Sequence, residues 1–147
     1  MSKRSRSTMR KIIFRGASLL ILLLIIFELS TCALQSKAGE GEGYTQADFF
    51  LYHMVTDSEI KQTPRITQSY YFTFSTRDGS APMQSSIIFR GTQETSTLKT
   101  FLVEHGYHYM GNDSGSERWI KNASFPSTFY LWVNSDHQQV GLSKATW

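Results

Sequence analysis

The chain contains one cysteine, Cys32, in 147 residues. A lone thiol closes no intrachain disulfide, and its position leaves everything after residue 32 without sulfhydryl chemistry. That excludes a disulfide scaffold, a Cys-ligated zinc and a cysteine nucleophile from the larger part of the protein. Prolines number only three and charged residues make up 18%, so neither a proline-rich nor a charge-driven disordered chain fits. Catalytic signatures are also missing. There is no Gly-x-Ser-x-Gly elbow, no His-Glu-x-x-His and no glycine-rich phosphate loop. The expectation is a protein that is not an enzyme and calls for no cofactor and no metal.

Acidic residues are absent from one stretch in particular. The first fifteen residues hold Lys3, Arg4, Arg6, Arg10, Lys11 and Arg15 and no acid. The net charge of +3 comes from fifteen Lys/Arg against twelve Asp/Glu. Setting those six cations aside leaves nine against twelve, a mildly acidic −3. The basic character is therefore local. It gives the remainder of the chain no electrostatic footprint for nucleic acid.

An apolar run from Gly16 to Phe27 follows the cations directly. A basic flank before an apolar segment marks export or membrane anchoring, with the basic end held in the cytoplasm. Twelve helical residues reach about 18 Å, short of a hydrocarbon core of about 30 Å. Taken from Ile12 to Leu34 the segment reaches about 34 Å, with Arg15 and Glu28 near its ends. Three fates are open. The leading one is an uncleaved single-pass anchor in the inner membrane, with the N-terminus cytoplasmic and the C-terminal domain periplasmic. In the second, Leu29-Ser30-Thr31-Cys32 resembles the lipobox of bacterial lipoproteins, which implies lipidation at Cys32. In the third, cleavage after Ala33 or Ala38 releases a periplasmic protein. All three put the later residues outside the cytoplasm.

The chain thus reads as three parts: a basic region and membrane segment over 1–34, a flexible Gly-rich linker over 35–43, and an extracytoplasmic domain over 44–147. Thr45 to Asp48 cap a short helix whose apolar stripe is Ala47, Phe50, Leu51 and Met54. Residues 57–68 read as a loop. Strands are predicted over Tyr70–Phe74, Ser85–Arg90, Glu117–Lys121, Ser127–Val133 and Gln138–Lys144. A second helix begins at Thr95 or Ser96, carries Leu98, Phe101 and Leu102, and ends at Gly106. The fold class expected is α+β, a mostly antiparallel sheet of four to five strands with two helices on one face.

Aromatic residues are the one excess. Within Ser127–Val133, Phe129, Leu131 and Val133 share one face while Tyr130 and Trp132 share the other. Tyr130 and Trp132, with Trp119, are the candidate binding residues, because Tyr and Trp combine large area with a polar handle. The remaining candidates are weaker. His105 and His108 flank Gly106, which takes the two rings off a common helix face. The carboxylates Asp57, Glu59, Asp113, Glu117 and Asp136 lie in polar turns and read as solvated. The function expected is a membrane-tethered, non-catalytic protein-binding module, such as an immunity, inhibitor or envelope accessory protein. The alternative is an envelope hydrolase or carbohydrate-binding protein using His105, His108 and loop carboxylates.

Overall fold

The computed structural model describes residues 15–30, 43–122, 124 and 127–147. The chain divides into two compact units, Met1–Leu34 and Gln35–Trp147. In the first, residues 15–30 form one α-helix, α1, whose apolar side chains from Leu19 to Leu29 are exposed. Among the described residues no helix is long and apolar enough to cross a membrane. The expected span from Ile12 to Leu34 extends beyond them at both ends. Cys32, both cleavage positions and the linker up to residue 42 lie outside the described residues.

The second unit is α+β, and its sheet is larger than the sequence suggested. Six antiparallel strands take the order β1-β2-β6-β5-β4-β3. They are β1 (Tyr70–Ser75), β2 (Met83–Arg90), β3 (His108–Asp113), β4 (Ser116–Ile120), β5 (Ser127–Asn134) and β6 (Gln139–Thr146). Three helices, α2 (Phe49–Val55), α3 (Ser58–Gln62) and α4 (Ser96–Glu104), join them. Among the described residues both expected counts are corrected upward, strands to six and helices of this unit to three. β3 escaped because His-Tyr-Met-Gly-Asn-Asp has no alternation, and its pairing with β4 shifts register between Tyr109 and Asn112. Such a bulge breaks the two-residue period on which strand reading depends. α3 escaped because a five-residue helix shows no apolar periodicity. Its start is marked instead by Asp57, whose Oδ1 accepts from the Glu59 amide at 2.8 Å, an N-cap contact.

The topology follows from strand direction. β1 and β2 form a hairpin, and β3 to β6 form a meander whose last strand returns to pair with β2. β2 and β3 point the same way, so the chain must cross the sheet between them, and α4 lies on that crossing. It ends as the sequence predicts. Gly106, at φ +81°, lets its amide reach the Val103 carbonyl while the Tyr107 amide reaches that of Leu102, both at 2.9 Å. This is the paired closure that a left-handed residue after a helix permits.

The three helices pack on one face of the sheet. Ile60, Leu98, Phe101 and Leu102 meet Phe72, Ile87, Phe89, Phe129, Leu131 and Leu142 in one core. Each strand residue in that set is separated from the next on its strand by two positions, the spacing that keeps side chains on one face. α2 is rotated from its expected stripe. Leu51, Tyr52 and Val55 face the core, whereas Phe50 and Met54 point outward. Tyr52, whose ring lies 5.2 Å from that of Phe72, fixes this orientation.

Candidate functional site

On the helix-covered face the strand alternation in β6 runs Val140, Leu142, Lys144, so the third inward position holds a cation. Lys144 is nearly buried and meets two carboxylates, Asp57 Oδ2 at 2.9 Å and Glu59 Oε2 at 2.8 Å. Glu59 also binds Lys121 Nζ at 3.1 Å and accepts from the Tyr107 hydroxyl at 2.8 Å. The Lys121 ammonium stands 4.8 Å over the Tyr107 ring. The Asp57 amide donates to Ser85 Oγ at 3.1 Å. Two acids and two lysines thus clamp α3 to the sheet with no net charge. The reading of Asp57 and Glu59 as solvated is overturned by this geometry. The signal that would have found them is the inward lysine, since a buried ammonium needs a carboxylate.

The electrostatics decide what this cluster can do. Burial would raise the Glu59 carboxyl, but its bonds to Lys144, Tyr107 and Lys121 outweigh that and hold it below the ordinary range. Burial would lower Lys144, and the two carboxylates outweigh it and push the ammonium up. Burial and Glu59 together push the Tyr107 phenol well above its usual value. All three shifts lead away from neutrality. A general acid or base works best with a pKa near the working pH, so the cluster is built to hold charge rather than to exchange protons.

The histidines are dispersed. His105 Nδ1–H donates to the Phe101 carbonyl at 2.8 Å, and His53 Nδ1–H to the Phe49 carbonyl at 2.9 Å. A groove of about 600 Å³ beside α4 is lined by Phe101, Glu104, His105 and Gln62 with small hydroxyl residues. His108 pairs with Ile120 across β3 and β4, which puts it on the other face of the sheet. The structure does not bring His105 and His108 together. Among the described residues no three of His, Cys, Asp and Glu are grouped to hold a metal ion.

The second face carries none of the described helices of this unit, and its side chains form rows in register across the strands. One row reads Tyr71, Ile88, Gly141, Trp132; the next reads Thr73, Ser86, Ser143, Tyr130, Arg118. Trp132 lies flat across Gly141. A β-carbon there would stand 2.1 Å from the indole carbons, so only glycine admits the ring. Tyr130 and Trp132 are half-buried and share this face, as the alternation requires. Trp119 is not with them. It lies on the helix-covered face, 6% exposed, with Nε1 donating to Glu117 Oε2 at 3.3 Å and its ring 5.6 Å from that of Tyr109.

Charge is sorted between the two faces. Lys99, Lys121 and Lys144 make their ion pairs with Glu117, Glu59 and Asp57 on the helix-covered side. The open face presents Arg90 and Arg118, both exposed and neither in a described ion pair. Arg90 stands 4.5 Å over the Tyr71 ring. The one carboxylate among the described strand residues of this face is Asp113, at the tip of the β3–β4 hairpin opposite Ser116. Sequence reading found Tyr130 and Trp132 here but singled out neither arginine. Comparison with known protein families, characterised proteins and solved structures finds no match to this chain.

Proposed function

We propose that this chain is a membrane-tethered, non-catalytic protein-binding module working outside the cytoplasm, and that it holds its partner on the open face of the sheet. The observation that carries the reading is the make-up of that face. Tyr71, Tyr130 and Trp132 stand with Arg90 and Arg118 on a surface that the unit's own helices leave uncovered. Tyr, Trp and Arg are the residue types that dominate binding energy at protein interfaces. Two arginines with no acidic partner among the described residues favour a carboxylate-bearing surface opposite, since complementary charge selects and orients a partner. The six N-terminal cations before the apolar run support the tether and its direction.

The test is photocrosslinking in cells that express the full chain natively, with p-benzoylphenylalanine at Trp132 and, separately, at Thr100 on the helix-covered side. A discrete adduct from Trp132 and none from Thr100 is the expected result. Adducts of equal yield from both positions, or none from Trp132, would remove the open face as the interface.

A further inference from the structure

The surface of α2 does not suit contact with water. Its seven residues, Phe-Phe-Leu-Tyr-His-Met-Val, include no acidic residue, lysine or arginine. Leu51, Tyr52 and Val55 serve the core, which leaves Phe49 at 60%, Phe50 at 68% and Met54 at 49% exposure. These are not scattered side chains. The Phe49 ring meets Phe50 edge-on at 5.7 Å and lies 4.2 Å from the His53 ring. A preassembled apolar pad of this kind marks a contact surface rather than ordinary exposure.

The chain's own connectivity says what the pad meets. Fourteen residues separate the end of the anchoring segment at Leu34 from the start of α2 at Phe49. Six of these, 43–48, already belong to the folded domain, Tyr44 bridging to Phe72, and the other eight can span no more than about 30 Å, so a tethered domain keeps α2 close to the bilayer surface. Phenylalanine and methionine without charge suit the boundary between headgroups and acyl chains. A cation stands beside the helix: Lys61 Nζ donates to the His53 carbonyl at 2.9 Å. We infer that α2 rests on the membrane to which the chain is tethered, with Phe49, Phe50 and Met54 inserted at the lipid interface. The inference depends on the tether proposed above. It also gives the domain an orientation, because α2 packs on the helix-covered side and the open face then looks away from the bilayer.

The experiment uses the full chain in phosphatidylcholine vesicles, in a Cys32→Ser background carrying a nitroxide at Met54→Cys or, as a solvent reference, at Ser135→Cys. Collisions with a water-soluble nickel chelate and with oxygen are measured at each. The expected result is several-fold lower nickel accessibility and higher oxygen accessibility at position 54 than at 135. Adding Phe49→Ser and Phe50→Ser should return position 54 to the reference level. Nickel accessibility at 54 equal to that at 135, in protein that sediments with the vesicles, overturns the inference and leaves the tether standing. Protein that stays in the supernatant overturns both. Protection from both reagents, with spin–spin broadening at position 54, assigns the pad to a second copy of the chain and overturns the lipid contact.

Discussion

The two faces of the one sheet use the same strands for opposite purposes. On the helix-covered face the large buried side chains meet one another: Phe129 meets Tyr107, Trp119 meets Glu117, and Lys144 meets Asp57 and Glu59. On the open face the large side chains meet small ones. Trp132 lies on Gly141, Tyr130 stands beside Ser143, and Ser86 Oγ donates to Ser143 Oγ at 2.9 Å beneath them. Ionic partners are spent on the first face and withheld from the second. The difference teaches that charge pairing, more than apolar content, separates the surface that holds this fold from the one proposed to bind.

The comparison can be broken most severely on the covered face. Phe129→Ala empties a fully buried site whose ring lies 4.7 Å from that of Tyr107, and should cost about 3–5 kcal/mol in urea unfolding. Lys144→Met strands the Asp57 carboxylate, leaves Glu59 only Lys121 as a cation, and should cost about 2–3 kcal/mol. Adding Asp57→Asn and Glu59→Gln should restore part of that loss, because the charges are then removed together while Asn keeps the cap of α3.

On the open face, Gly141→Ala drives a methyl group into the Trp132 indole and should cost about 1–3 kcal/mol. In a Trp132→Ala background the same change should be nearly silent, a coupling that a double-mutant cycle in urea reads directly. If the cost persists without Trp132, the close approach is not what fixes glycine there.

The pH dependence sharpens the account of the ionic clamp. The carboxyl of Glu59 is held low, so its contribution is present above the unfolded value of about 4.3 and is lost as pH falls through the lower folded value. Lys144 and Tyr107 are pushed up. Their contribution is complete below unfolded values of about 10 and is lost as pH rises through the higher folded ones. Stability should therefore be level across neutrality and fall at both extremes. Thermal unfolding across pH checks this, and Lys144→Met with Asp57→Asn and Glu59→Gln should flatten both limbs.

Much of this arrangement was legible in the residues, and the parts that were not share a physical cause. Alternation in Ser127–Val133 divided Phe129 and Leu131 from Tyr130 and Trp132 correctly, because a half-buried strand writes its two faces with a period of two. Gly106 announced the end of α4. β3 was lost because its bulge interrupts that period, and α3 because five residues are too few to show one. Trp119 was placed with the exposed aromatics since a single residue in Glu117–Lys121 does not say which face it takes; its register against Phe129 does. Lys144 was legible in principle, as the continuation of Val140 and Leu142. Which carboxylates it would meet, from a loop 87 residues away in sequence, depends on the closed sheet.

The central claim is that the open face binds while the covered face stabilises. The most direct test combines Arg90→Glu with Arg118→Glu and measures, on the same variant, urea unfolding and the yield of adduct from a crosslinker at Trp132. The account predicts a stability change below about 1 kcal/mol together with loss of most of the adduct. An undiminished adduct, or a loss of adduct that comes only with loss of the fold, would contradict it.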